Sequence, residues 1–380
     1  MRILHVIESM QMGGAERHLA NLLGPLQEMG VTNEVALLWG GNAYESSVRP
    51  FARVHDFGLK PRKVWPALLP LTRLARHADV VHTQTPWADI LGRAAAVAAQ
   101  RPSVTTLQTT WYDPANLPGF TPRVRRNVEL TRRIDAFTAR STRRFFAVSD
   151  ATRKVYIQAL GLPADRFEVI PNTVDLAQFN VDSLPPRARL RATLGCADGE
   201  LAVLMVARLV PPKGHADAIA AVARLRDELP VKLYIAGTGP EEALLRRRAA
   251  ELAAPVVFLG PRSDVPSLLS AADLFLFPSI MEGMPLALIE AMAMSTACLC
   301  SAIPENREAG GDAIAYAPPG DIDALTTALR AILRDGAERR RLGDAARVRS
   351  ERYSSRTIAA QLLEAIKRVI GHSAGHVVAL

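Results

Sequence analysis

Two glutamates, Glu282 and Glu290, stand with seven residues between them, beginning Gly283-Met284-Pro285-Leu286. The segment follows Leu274-Phe275-Leu276-Phe277, a short apolar run that predicts a buried strand. A glycine-containing turn comes next, and Pro285 falls at the expected first helical position, where its ring-fixed φ suits a helix. Leu286 to Met294 continue as good helix formers. A strand that turns sharply into a helix directs unpaired backbone N–H groups and the positive end of the helix dipole at the space beyond the sheet. The chemistry expected there is recognition of a phosphate or a row of sugar hydroxyls, with both carboxylates facing that space as hydrogen-bond acceptors. The plainer alternative is a helix whose carboxylates only solvate its surface.

A cationic pair follows another apolar run. Arg208 and Lys213-Gly214 come directly after Leu201–Val206. A departing phosphoryl group needs positive charge already in place; arginine offers a rigid fork and lysine a point charge. Gly237-Thr238-Gly239-Pro240 and Gly260-Pro261-Arg262-Ser263-Asp264-Val265 mark two further strand-to-helix turns. Near the start, Met12-Gly13-Gly14-Ala15-Glu16 opens a helix after the strand Arg2–Ile7, and paired glycines permit close approach of a ligand to the backbone. Gln108 and Trp111 follow the strand Ser103–Leu107, and His82 closes the strand Val80–His82. His82 and Trp111 are the candidates for contact with an acceptor, although His82 also reads as a satisfied structural histidine. No G-x-G-x-x-G fingerprint is present, and strand two ends in Leu38-Trp39-Gly40 without an acidic residue, which disfavours a dinucleotide oxidoreductase. Asp321-Ile322-Asp323 has the outline of a metal clamp but opens an Ala/Leu helix, where aspartate is a natural cap. No nucleophilic triad can be read.

These turns need strands and helices to hold them. At 380 residues the chain has room for two domains, and nearly half of it is apolar. The first half alternates strands (Arg2–Ile7, Asn33–Leu38, Val80–His82, Ser103–Leu107, Arg144–Val148) with helices (Ala15–Met29, Trp65–Ala75, Ala88–Ala99, Thr121–Ala139). Pro171–Asp175 reads as a hinge and Asp182–Pro186 as a linker. A second alternation runs from Leu201 to Ser350, with Ala297–Ser301, Ile303–Asn306 and Ala313–Tyr316 as a sheet edge and its loops. A last helix spans Ser354–Ile370. Doubly wound domains place strand carboxyl ends and helix N-termini on the ligand side.

The opening residues already form a strand, no long apolar segment is present, and the three cysteines fit neither a disulfide nor a zinc framework. The expectation is a cytoplasmic protein. Of the net charge of +8, +6 lies in residues 1–185, and residues 121–154 hold ten basic side chains. Nucleic acid is disfavoured for want of aromatic interleaving or a recognisable module. An anionic membrane surface, at the inner face of the cell membrane, or an anionic acceptor suits this charge better; a solvated arginine-rich helix face is the plain alternative.

Taken together, the ordered motifs resemble those of family 4 retaining glycosyltransferases. The resemblance rests on Glu282 and Glu290 about Gly-Met-Pro-Leu, Arg208 with Lys213-Gly214, the Gly237 and Gly260 turns, and the Gly13-Gly14 turn. It implies an α/β fold of the GT-B type, two Rossmann-like doubly wound domains facing a central cleft. Their expected bounds are 1–171 for the acceptor side, 172–353 for the nucleotide-sugar side, and 354–370 for a helix crossing back. It implies transfer of a hexose, with retention, from a UDP- or GDP-sugar to a glycan or lipid-linked acceptor, in cell-surface polysaccharide or glycolipid synthesis. Arg208, Lys213 and Glu282 would be catalytic. Gly13, Gly14, Gln108, Gly237, Gly239, Arg262, Val265, Gly283, Met284, Pro285, Leu286 and Glu290 would bind the donor. With Arg208, Lys213 and a helix terminus supplying positive charge, neither metal nor cofactor is expected. One departure stands out: the family places a histidine where this chain has Gln108, which cannot titrate. That departure keeps open a nucleotide-sugar-binding protein without transferase activity.

Overall fold

The computed structural model describes residues 1–11, 13–40, 44–60, 63–113 and 121–374. Met12 of the glycine-pair motif and the tail beyond 374 lie outside them. The chain divides into two compact units, Met1–Thr173 with Ser355–Leu380, and Val174–Ser354.

Unit 1 holds seven parallel strands: β1 (Arg2–Ile7), β2 (Thr32–Leu37), β3 (Ala52–Asp56), β4 (Val80–Gln84), β5 (Ser103–Leu107), β6 (Arg144–Ala147) and β7 (Phe167–Val169). Their spatial order is β3-β2-β1-β4-β5-β6-β7, so the direction of winding reverses between β1 and β4. Helices α1 (Gly14–Glu28), α2 (Glu45–Val48), α3 (Leu68–Arg76), α4 (Pro86–Ala98), α5 (Pro122–Thr138) and α6 (Asp150–Leu160) make the connections. Alternation along β1 sorts the core: Ile3 packs with Leu22, Leu26 and Val80, while Leu4 and Val6 pack with Val81, Ala88 and Leu91.

Unit 2 repeats the plan with six parallel strands: β8 (Leu201–Val206), β9 (Val231–Ala236), β10 (Val256–Gly260), β11 (Leu274–Phe277), β12 (Cys298–Ser301) and β13 (Ala315–Ala317). The order β10-β9-β8-β11-β12-β13 puts its reversal between β8 and β11. Its helices are α7 (Arg187–Leu194), α8 (His215–Leu225), α9 (Glu242–Glu251), α10 (Val265–Ala271), α11 (Leu286–Ala293), α12 (Pro304–Gly310), α13 (Ile322–Arg334) and α14 (Gly336–Ser350). The last helix, α15 (Ser355–Ala374), belongs to unit 1, where Ile358, Leu362, Leu363 and Ile366 bury against Leu22, Leu26 and Val80.

Several local expectations need correction. Pro285 is the N-cap of α11, with an extended backbone (φ −76°, ψ 103°), and Leu286 is the first helical residue. Ile303–Asn306 is not a sheet-edge loop; Pro304 starts α12, its missing N–H being one the helix could not have used. β3, β7, α2, α6 and α7 were not expected at all. β3 reads Ala-Arg-Val-His-Asp and β7 has three residues, so both edge strands lack the apolar run that marks the central ones.

Candidate active site

The loop after β8 and the turn after β11 meet at the reversal point of unit 2. Ile280 N donates to Pro212 O at 2.8 Å, and a Cβ on Gly214 (φ +71°) would stand 2.2 Å from Pro278 O. Only glycine fits where these two backbones touch. The contact brings Lys213 to Glu282: Nζ lies 2.7 Å from Oε1, and the ammonium also sits 5.6 Å from the centre of the Phe277 ring. Arg208 is exposed on the same loop and forms no ion pair among the described residues. One fixed cation and one exposed cation therefore share a single strand-to-helix turn.

The remaining donor-side residues fall into two groups. Glu282 to Leu286 are all buried, and Glu290 is 1% exposed because α11 packs on nearly every side. The two carboxylates therefore do not stand open to solvent as the spacing suggested. Gly237 and Gly239 make room for their own chain: a Cβ would lie 1.9 Å from Ala207 O at Gly237 and 2.3 Å from Leu209 O at Gly239. They clamp the Arg208 loop in place, and Leu209 N donates to Thr238 O at 3.0 Å. Arg262 forks onto Asp264 at 2.7 and 2.5 Å, which holds that carboxyl below its ordinary value. Val265 is 3% exposed at the start of α10, which leaves almost none of its side chain to hold a base. Asp321 caps α13, accepting from Ala324 N at 2.9 Å, and Asp323 pairs with Arg224. Among the described residues no group of three His, Cys, Asp or Glu side chains is placed to hold a metal ion.

These features match known sequences. Residues 186–349 fit the profile described as Glycosyl transferases group 1, and residues 12–178 fit Glycosyltransferase Family 4. A phosphatidyl-myo-inositol mannosyltransferase of Mycolicibacterium smegmatis is 33% identical over 306 residues, 77% of this chain and 72% of the relative. The chain belongs to the family 4 glycosyltransferases. An Escherichia coli relative, UDP-Gal:alpha-D-GlcNAc-diphosphoundecaprenol alpha-1,3-galactosyltransferase, is 29% identical over 60% of this chain and 59% of its own length. The crystal structure of Anabaena HepE in complex with UDP-glucose superposes with a TM-score of 0.84 at 24% identity, covering 97% of this chain and 100% of that one. The fold is GT-B.

In unit 1 of the glycosyltransferase, Gly13 caps α1 with extended backbone and Gly14 is its first, exposed residue. A Cβ on Gly13 would collide with the Glu16 carboxylate at 2.3 Å. Gln108 donates from Nε2 to Gln84 Oε1 at 3.2 Å. Trp111 is 38% exposed, next to Tyr112, whose hydroxyl donates to Asp135 at 3.0 Å.

His82 is not at the surface. It is fully buried, with Nδ1 3.0 Å from His5 Nδ1 and Nε2 2.7 Å from Thr106 Oγ1, so the expected acceptor contact is withdrawn. Burial lowers His5 to about 4 and His18 to about 3, and pushes His82 well below the ordinary histidine value. A cavity of about 720 Å3 opens in this unit between Arg2, Thr32, Glu34 and Arg53. It lies at the amino ends of the strands, the wrong edge for a doubly wound sheet to bind its ligand.

The sequence reading missed Glu8, Trp39, Thr85 and Trp87. Glu8 follows β1 directly, and Thr85 and Trp87 follow β4, so they meet at the reversal point of unit 1. A lone carboxylate immediately after a mostly apolar strand was the available signal.

Proposed function

We propose that this glycosyltransferase moves a hexose, with retention, from a UDP- or GDP-sugar to a lipid-linked or glycan acceptor, and that it needs no metal ion. The observation that carries the reading is the Lys213–Glu282 contact at the reversal point of unit 2, beside the exposed Arg208. A diphosphate binding there meets two cations held by a glycine-clamped loop, which is the preorganised charge that a phosphoryl leaving group requires. The sugar C1–O bond breaks toward that diphosphate. The acceptor oxygen forms the new bond to C1 on the face the diphosphate vacates, and its proton passes to the departing phosphate oxygen. No dedicated base is then needed. The substrates named for the Escherichia coli relative and bound to HepE support a UDP-sugar, and the acceptors named for both relatives support a lipid-linked one.

Helix α5 supports contact with an anionic membrane. Leu130, Ile134 and Phe137 are 59%, 38% and 72% exposed at successive helical turns, with exposed Arg123, Arg126 and Arg133 on the same side. A helix whose outer face is apolar and basic suits a charged bilayer surface. No helix among the described residues is long and apolar enough to cross a membrane.

Thermal melting with UDP, GDP, ADP and NAD, each with and without EDTA, tests the donor assignment. A ligand at about 100 times its Kd should stabilise by about 2.7 kcal/mol. Stabilisation by UDP or GDP that survives EDTA is expected; stabilisation by none of the four would overturn the transferase reading. For the membrane, sedimentation with phosphatidylglycerol vesicles should fall sharply in Phe137→Glu, and equal sedimentation of both proteins would remove α5 as the contact.

A further inference from the structure

The cavity of about 720 Å3 in unit 1 opens at the amino ends of β1, β2 and β3. A doubly wound sheet takes its reactants at the opposite edge, so a ligand held here is not one of them. The strand pairing decides which side chains meet. β1 and β3 are the two neighbours of β2. Leu4 pairs with Glu34 and Glu34 with Arg53, and Arg2 shares the face of Leu4 because side chains alternate along a strand. Arg2, Glu34 and Arg53 therefore stand on one face, and Arg49, in the turn before β3, lines the same cavity. Adjacent strands lie about 4.8 Å apart, so β1 and β3 are about 10 Å apart, a gap that two arginine side chains can bridge through one small anion.

Solvated surface charge is the ordinary account of such arginines, and capping of helix carboxyl ends is the other. Neither covers all of them. Glu34 is the one carboxylate among the described lining residues, and it is already shared: His55 Nε2 lies 2.9 Å from Oε2, and Arg2 Nε 3.6 Å from Oε1. Arg2 also donates to His77 O, at the end of α3, at 3.4 Å. The last carbonyls of α1 need no arginine, since Pro25 O, Leu26 O and Gln27 O accept from the backbone of Met29, Val31 and Gly30. Arg53 is exposed and forms no ion pair among the described residues, although Glu34 is its neighbour in register. Three guanidinium groups against one carboxylate leave two positive charges in excess, in a concave space walled in part by Val31, Pro50 and Phe51. Like charges gathered in such a site repel one another until an anion joins them, and apolar walls strengthen the field that draws it in. Guanidinium forks match phosphate oxygens two at a time. A phosphate monoester carries a charge of about −1.5 to −2 near neutrality, which balances that excess. A space of this size suits a small molecule.

We propose that Arg2, Arg49 and Arg53 form a site for a phosphate monoester, at the edge of the sheet away from the reaction. The ester is carried by a soluble small molecule or by phosphatidic acid in a membrane; the chemistry is the same, and the test separates the two sources. The site goes beyond the transferase reading and does not depend on it, because none of its residues lies in the donor crevice of unit 2.

The test titrates inorganic phosphate and sn-glycerol 3-phosphate into the full chain by calorimetry. The wild type should bind at least one of them, more weakly as salt rises. Arg53→Gln should weaken that binding about tenfold, and Arg49→Gln with Arg53→Gln about 100-fold, as expected for lost charged hydrogen bonds. Both positions are exposed, so the double variant should keep the wild-type melting temperature. Lys213→Ala should bind the probe as the wild type does. Equal affinity in the wild type and the double variant, or binding lost in Lys213→Ala and kept in the double variant, would overturn the site. The second arm compares sedimentation with vesicles of phosphatidic acid and of phosphatidylglycerol, in Phe137→Glu so that α5 contributes little. A preference for phosphatidic acid that disappears when Arg49 and Arg53 are also replaced identifies the lipid as the source. Arginine-dependent binding of glycerol 3-phosphate without that preference identifies a soluble ester. If neither arm depends on Arg53, the proposal fails.

Discussion

Between β8 and β11 a lysine meets a glutamate at 2.7 Å; between β1 and β4 a glutamate side chain accepts from a helix amide at 2.8 Å. The two crevices have the same topological origin, a strand order that reverses beside the first strand of each unit. Their chemistry differs because the loops differ. Unit 2 uses glycines at 214, 237 and 239 to press backbone against backbone and fix a cation. Unit 1 holds a single half-buried carboxylate on the first-turn amide of α4, beside a threonine at φ +82°. Unit 2 thus presents fixed positive charge at its crevice, and unit 1 a half-buried carboxylate. A shared fold thus sets where ligands go, and a handful of loop residues sets which.

That contrast can be broken at four points. Replacing Lys213 with alanine should cut kcat/KM about 100- to 1000-fold, with melting lowered by no more than about 4 °C; a normal rate would leave unit 2 without its distinguishing charge. Gly237→Ala puts a Cβ onto Ala207 O at φ +146°. Denaturant titration should show a loss of about 2–3 kcal/mol, and an unperturbed midpoint would show that the clamp is slack. Acid should separate the units next. Three buried histidines in unit 1 (His5 lowered to about 4, His18 to about 3, and His82 well below its ordinary value) face one in unit 2, His215, lowered to about 4. The unfolded chain takes up protons at these sites below about 6.5 while the folded chain does not, so stability is complete above that value and falls as pH drops toward 4. The loss is about 1.4 kcal/mol per pH unit for each histidine. Hydrogen exchange at pH 5 should therefore open β1 and β4 before β8 and β11; simultaneous opening would contradict the assignment. The smallest effect belongs to Arg262→Ala, whose half-exposed pair with Asp264 should be worth about 0.5 kcal/mol or less by thermal melting.

Central strands β8 and β11 were legible because burial on both faces writes them as continuous apolar runs, and β1 and β5 also begin and end where the sequence reading placed them. Edge strands β3 and β7 were not, since half-solvated residues carry no such signature. Helix α6 was readable in principle, for Ser149 caps it and Gly161 ends it in the left-handed region, but basic residues on its outer face diluted the apolar period. Motif residues at unit 2 could be found from spacing, as the Lys213–Glu282 contact illustrates. Contacts between distant segments could not. Nothing in the spacing of Glu8 and Trp87 announces that they touch, and His82 lay too deep for its type alone to reveal.

The path of the chain has a consequence for synthesis. It leaves unit 1 at Thr173, builds all of unit 2 through Ser354, and only then supplies α15 to cover Leu22 and Leu26. Emerging from a ribosome, the second unit is contiguous and can close by itself, whereas the first waits with an uncovered apolar flank until its final helix arrives. The part made first is thus the part finished last, and that interval is when the nascent protein most needs a chaperone.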